Sequence, residues 1–133
     1  LVNFIAASTQ QLLDSELEIN PQLEVIVPEG FSWIGLVGMA LTVGVFIPFV
    51  EELFFRGVLF RWLRQHWSFV PAALISSALF GLFHFEPFLI AGTAVLGYAS
   101  AWTMEKSGSL WAAVMIHGLN NLINVILAYL LLG

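Results

Sequence analysis

The chain has 133 residues, 59% of them hydrophobic and only 10% charged, with a net charge of −5 and a mean hydropathy of +0.92. Soluble domains carry about a quarter charged residues, so this composition points to a bilayer as solvent and to a single helical unit. The four bases, Arg56, Arg61, Arg64 and Lys106, are too few and too dispersed for a nucleic-acid footprint, and the lack of cysteine excludes disulfides and thiolate metal sites.

Residues 1 to 30 hold five acids and no base, and Pro21 and Pro28 interrupt any long apolar period. This stretch reads as an extramembrane acidic loop with a short helix near Thr9 to Leu17. The chain opens at Leu1 without a basic n-region, so its first residues read as the end of a preceding segment rather than a signal peptide. The expectation is the C-terminal part of a larger helical membrane core.

Residues 31–133 read as that core, with an all-α, polytopic transmembrane bundle as the fold class. One long helix is expected over 31–64, bent at Pro48, which cannot donate to the carbonyl of Gly44 and crowds that turn. Trp67 to Val70 forms a turn, and Pro71 suits the first turn of a helix over 69–84. Further spans are expected over 87–104 and 110–132, separated by a polar loop from Glu105 to Ser109. Ala73, Ser77 and Gly81 recur every four residues, as do Gly97 and Ala101, a spacing that lets helix backbones approach closely in lipid.

The loops agree on sidedness. Arg61, Arg64 and Lys106 fall on one side of the alternating spans, while the acidic loop and Glu86 fall on the other, as the positive-inside rule assigns to cytoplasm and exterior. Trp62, Trp67, Trp102 and Trp111 flank the basic side and Trp33 the opposite end.

Three apolar stretches carry polar pairs at helical spacing: Glu51, Glu52 and Arg56; Phe80 and His84; His117 and Asn121. A central charge in a membrane helix is penalised by roughly 2.5 to 3.5 kcal/mol, so such groups face one another and mark a working site. At 1.5 Å per residue, Glu51 lies roughly 15 to 20 Å from the basic-side loop, His84 roughly 20 Å and His117 roughly 12 to 18 Å. Antiparallel packing would bring them to one depth.

Glu51 and Glu52 project about 100° apart, so one helix cannot aim both at the same point. Glu52, one turn before Arg56, is assigned to a structural ion pair, which leaves Glu51 as the candidate general base. His84 would share a water with Glu51, and His117 and Asn121 would offer donors to a developing oxyanion. Water is the nucleophile because there is no cysteine, no serine elbow and no Ser-Lys pair. Interhelical hydrogen bonding is the plainer role for His84, His117 and Asn121, and His66 reads as interfacial. Zinc held by Glu51, His84 and His117 is the rival chemistry, ranked second because no H-E-x-x-H occurs and the i, i+4 partner of His117 is an amide.

The E-E-x-x-x-R of Glu51 to Arg56, the F-x-x-x-H of Phe80 to His84 and the H-x-x-x-N of His117 to Asn121 resemble the three motifs of the CPBP intramembrane proteases, the CAAX prenyl protease and bacteriocin-processing family. The resemblance implies a multi-pass helical core in a bacterial cell membrane and hydrolysis of a peptide bond in a peptide or protein substrate, membrane-anchored or prenylated. It implies Glu51 and His84 as water activators, His117 and Asn121 as oxyanion donors, and Glu52, Arg56 and Phe80 as supports, with no cofactor preferred. Two other classes use the same cluster: a non-proteolytic scaffold or immunity protein that needs it for packing, and a proton- or cation-coupled transporter.

Overall fold

The computed structural model describes residues 32–132, and among them it contains four helical rods and no strand. These are α1 (Trp33–His66), α2 (Phe69–Leu82), α3 (Pro87–Ser107) and α4 (Leu110–Leu132). The acidic loop, its short helix and the end of a preceding segment lie outside the described residues.

Helix α1 starts at Ser32, whose Oγ accepts from the Gly35 N–H at 3.3 Å. It is continuous, as expected, but irregular in two places rather than one: π-helical turns occupy Thr42–Phe46 and Leu53–Phe60, on either side of the α-helical piece Ile47–Glu52. The upstream turn has a local cause. Pro48 lacks an N–H and its ring presses on the preceding turn, and widening that turn relieves the clash without ending the helix.

Helix α2 ends at Leu82, two residues short of the expected boundary, and the chain then reverses through Phe85 at φ 56°. That left-handed conformation costs a residue with a Cβ roughly 1 to 2 kcal/mol. His84 therefore sits in the turn beyond the helix. Helix α3 in turn runs three residues past its expected end, because Glu105 and Lys106 are compatible with a last turn and the first residue suited to left-handed backbone is Gly108, at φ 68°.

Helices α2 and α3 form the closest pair, and the small residues account for it. Ala73 and Ala101 are fully buried, and a Cβ on Gly81 would lie 2.6 Å from the Ile90 carbonyl oxygen. Helix α4 packs on α3 and antiparallel along α1: Gly35 lies against Tyr129, Gly44 against Leu122 and Gly118, and Phe49 stacks on Trp111 at 5.5 Å. An apolar cluster of Phe60, Leu63, Ala72, Ala73, Ala101, Met104 and Ala113 fills the bundle near its basic end. There Arg64 forks onto Glu105, Nη2 to Oε1 at 2.7 Å and Nε to Oε2 at 3.2 Å, and aligns α1 with α3. The hydrogen bond from Arg64 holds the Glu105 carboxyl below the usual carboxylate range, so this link is lost as pH falls through that lowered value.

Helices α1 and α4 are long and apolar enough to cross a membrane. Only 11% of the most apolar stretch of α1 is buried, whereas the core helix of a soluble protein would be covered. Two of the four expected spans thus meet the length and composition of a crossing. With 14 residues, α2 is about 21 Å long and falls short of a hydrocarbon core of about 30 Å.

Backbone-to-backbone contacts at glycine set the helix spacing, and this is directly testable. Gly81→Ala and Gly118→Ala, whose Cβ atoms would meet carbonyl oxygens at 2.6 and 2.5 Å, should each destabilise the bundle by about 1 to 3 kcal/mol. Gly38→Ala, with nothing within 4 Å, should instead gain about 0.5 to 1 kcal/mol. Unfolding midpoints of the three variants in detergent rank them, and equal midpoints would refute the spacing argument.

Candidate active site

One ion pair lies at the centre of the polar layer. Glu52 and Arg56 are both fully buried, and Arg56 Nη1 donates to Glu52 Oε1 at 3.1 Å, as their spacing along the helix requires. The guanidinium lies over the face of Phe80, with Cζ 4.6 Å from the ring centroid, which places the negative face of the ring against the charge. Gly97 of α3 makes room for it: a Cβ there would lie 2.8 Å from Arg56 Nη2. Its spacing with Ala101 marks Gly97 for packing alone, and nothing in the sequence pairs it with Arg56.

The same Glu52 oxygen accepts from His117 Nδ1 at 2.9 Å, so one carboxylate joins α1 to α4. The other ring nitrogen, Nε2, receives Asn121 Nδ2 at 3.3 Å and lies 3.6 Å from Glu51 Oε2. These partners assign the tautomer, with the proton on Nδ1 and the lone pair on Nε2. Both glutamates therefore reach one imidazole, contrary to the expectation that they diverge. A 100° divergence is accommodated because the ring offers two nitrogens facing different ways.

The two acids differ in access. Glu52 is 0% exposed with its Oε1 shared by two donors, whereas the Glu51 side chain is 31% exposed. Glu51 also lies within electrostatic reach of His84 as well as His117. His84, half-buried, donates from Nδ1 to the Phe80 carbonyl at 2.9 Å, which leaves Nε2 with its lone pair available. Among the described residues no hydrogen bond joins Glu51 directly to His84.

Phe80 is the hub of the cluster. Its ring meets His84 at 4.9 Å, His117 at 5.3 Å and Phe55 at 5.0 Å, all edge-to-face, in addition to Arg56. The three motifs are thus brought together around one aromatic ring. No sequence signal marked Phe55 as part of this wall. Among the described residues no group of three His, Asp or Glu side chains is gathered as a metal-ligand set, and the two nitrogens of His117 have partners in Glu52 and Asn121.

A helical bundle with lipid-facing apolar surfaces and a buried layer of Glu, His, Arg and Asn defines a membrane protein with an enclosed polar centre. The chain belongs to the family described as type II CAAX prenyl endopeptidase Rce1-like, which it matches over residues 33–123, a range that contains every residue of this cluster. It is also similar to a protein of Bacillus subtilis (strain 168) named "Putative membrane peptidase YdiL", 29% identical over 80 residues. That alignment covers 60% of this chain and 33% of the relative, so the similarity spans about a third of that protein's length. No solved structure matches the chain.

Breaking the central pair should cost more than removing it. Arg56→Ala leaves Glu52 buried without its cation and should lose about 3 to 5 kcal/mol. Combining Glu52→Gln with Arg56→Met, which removes both charges and keeps the volume, should recover most of that loss. Denaturation of detergent-solubilised protein decides it: a double variant as unstable as Arg56→Ala would show that packing, not the stranded charge, dominates.

Proposed function

We propose that this chain is the catalytic core of an intramembrane endopeptidase, multi-pass in a bacterial membrane, that hydrolyses a peptide bond with a water activated by Glu51 and His84. The supporting observation is the asymmetry of the two glutamates: Glu52 is sealed and doubly engaged, while its neighbour Glu51 is 31% exposed and accepts no hydrogen bond among the described residues. A general base must be able to reach its proton, and Glu51 alone of the pair can.

In this reading the lone pair of His84 Nε2 orients the water, and Glu51 takes its proton as the oxygen bonds to the scissile carbonyl carbon. The carbonyl oxygen becomes an oxyanion. The Asn121 amide, whose Nδ2 lies 3.3 Å from His117 Nε2, turns an N–H toward it, and His117, held by Glu52 through Nδ1–H, positions that amide. As the C–N bond breaks, Glu51 returns its proton to the leaving amine. No metal enters any step.

The substrate class is a membrane-anchored peptide or protein, prenylated or not. The family membership supports a peptide substrate, and a site enclosed by apolar helices favours one that is itself held in the bilayer.

The protein reconstituted in liposomes with membrane-anchored reporter peptides, prenylated and unprenylated, provides the test. Glu51→Gln and His84→Ala should each lower kcat/KM by at least about 100-fold, while folded Glu52→Gln, which keeps one oxygen to accept from Arg56 and His117, should lose less. Near wild-type cleavage by either of the first two variants removes this mechanism. Absence of any cleavage by the folded wild-type protein favours a packing role for the cluster.

A further inference from the structure

The carbonyl of Val43 has two ways to find a donor within α1, and both are closed. In α-helical geometry its partner is the N–H of Ile47, but that N–H goes to Thr42. In π-helical geometry its partner is residue 48, and Pro48 has no N–H. In a bilayer water is not at hand to make up the loss, so the carbonyl needs a donor from another helix.

Asn121 provides it. Its Nδ2 donates to the Val43 carbonyl at 3.1 Å, and Asn120 donates to Asn121 Oδ1 at 3.2 Å, which fixes the amide with its nitrogen toward α1. Helix α4 comes close enough because Gly118 faces Gly44: a Cβ at Gly118 would lie 2.5 Å from the Gly44 carbonyl oxygen and 4.0 Å from Pro48 Cβ. The proline and the asparagine thus meet at one turn of α1 from opposite sides.

We infer that Pro48 and Asn121 are a matched pair, the proline withholding a donor from Val43 and the asparagine restoring it, which pins α4 to the widened turn and positions Glu51 and Glu52 against His117. The two glutamates end the α-helical piece Ile47–Glu52, directly downstream of that turn. A π turn accommodates one extra residue, and each residue of an α-helix rotates the chain by about 100°. Relaxing the turn to α geometry would swing both carboxylates by about that angle relative to the first half of α1. Asn121 is therefore a positioning residue through Val43, a role carried by one amide hydrogen and separate from any role of the other. It rests on the fold geometry and holds whether or not the chain cleaves peptides.

A double-mutant cycle on the detergent-solubilised full chain tests the pairing. Asn121→Ala should lower the unfolding midpoint by about 4 °C or more. Pro48→Ala restores an N–H at position 48, so in that background Asn121→Ala should lower the midpoint by less than half as much. Equal drops in both backgrounds overturn the pairing.

Two readings do not depend on the cycle. With 13C-carbonyl valine and 15N glycine, the Val-Gly steps of the chain, Val37–Gly38 and Val43–Gly44, give two NMR signals. Asn121→Ala should move the Val43 signal and leave that of Val37 in place, and an unmoved Val43 signal overturns the hydrogen bond. Pro48→Ala touches neither nitrogen of His117, so displaced ring 15N signals in that variant report repositioned glutamates. Unchanged signals overturn the positioning.

Discussion

A carboxylate buried in an apolar bundle must be neutralised where it lies, and here one oxygen, Glu52 Oε1, meets that demand with two donors from two helices. Arg56 answers it from α1 and His117 from α4, while Phe80 of α2 covers the guanidinium and Gly97 of α3 leaves space for it. Every described helix therefore contributes to satisfying one charge. Assembling the bundle and assembling the polar layer go together, because α1 and α4 cannot separate without taking His117 from Glu52, nor α2 without uncovering Arg56.

Much of this was legible in the residues. The order of the helices, the small-residue contacts of α2 with α3, the Glu52–Arg56 pair and the convergence of the three motifs all follow from spacing and from the cost of polar groups in hydrocarbon. The departures lie where backbone or side-chain geometry is less regular than spacing along a helix implies. The segment around Pro48 is apolar on every face, so it carries no polar stripe that would reveal a wider turn. His84 leaves the helix because Phe85 takes a left-handed conformation, and nothing in its side chain marks it for that. The link from Glu52 to His117 leaves no mark in the spacing, because an imidazole has two ends and can meet two residues that diverge.

The helix irregularities and the close contacts of α4 are connected. A regular α1 would direct its carbonyls along its own axis, leaving α4 only side chains to pack against. The widened turn at Thr42–Phe46 instead frees the Val43 carbonyl for Asn121, and glycine at positions 44 and 118 lets the backbones approach. Apolar burial gives a membrane helix no advantage over lipid, so close packing and polar contacts of this kind, each worth about 0.6 to 2 kcal/mol, hold such helices together.

Adjacent acids at one depth would repel if both were charged and free, and the structure separates them by access and not by distance. Glu52 has its charge compensated by Arg56 and His117 and has no room to move; Glu51, one residue earlier, keeps the accessible position beside Nε2 of the same ring. The imidazole lies between them, with Nδ1 on Glu52 at 2.9 Å and Nε2 facing Glu51 at 3.6 Å. The packing requirement of the bundle thus fixes one glutamate and leaves its neighbour accessible beside the same ring.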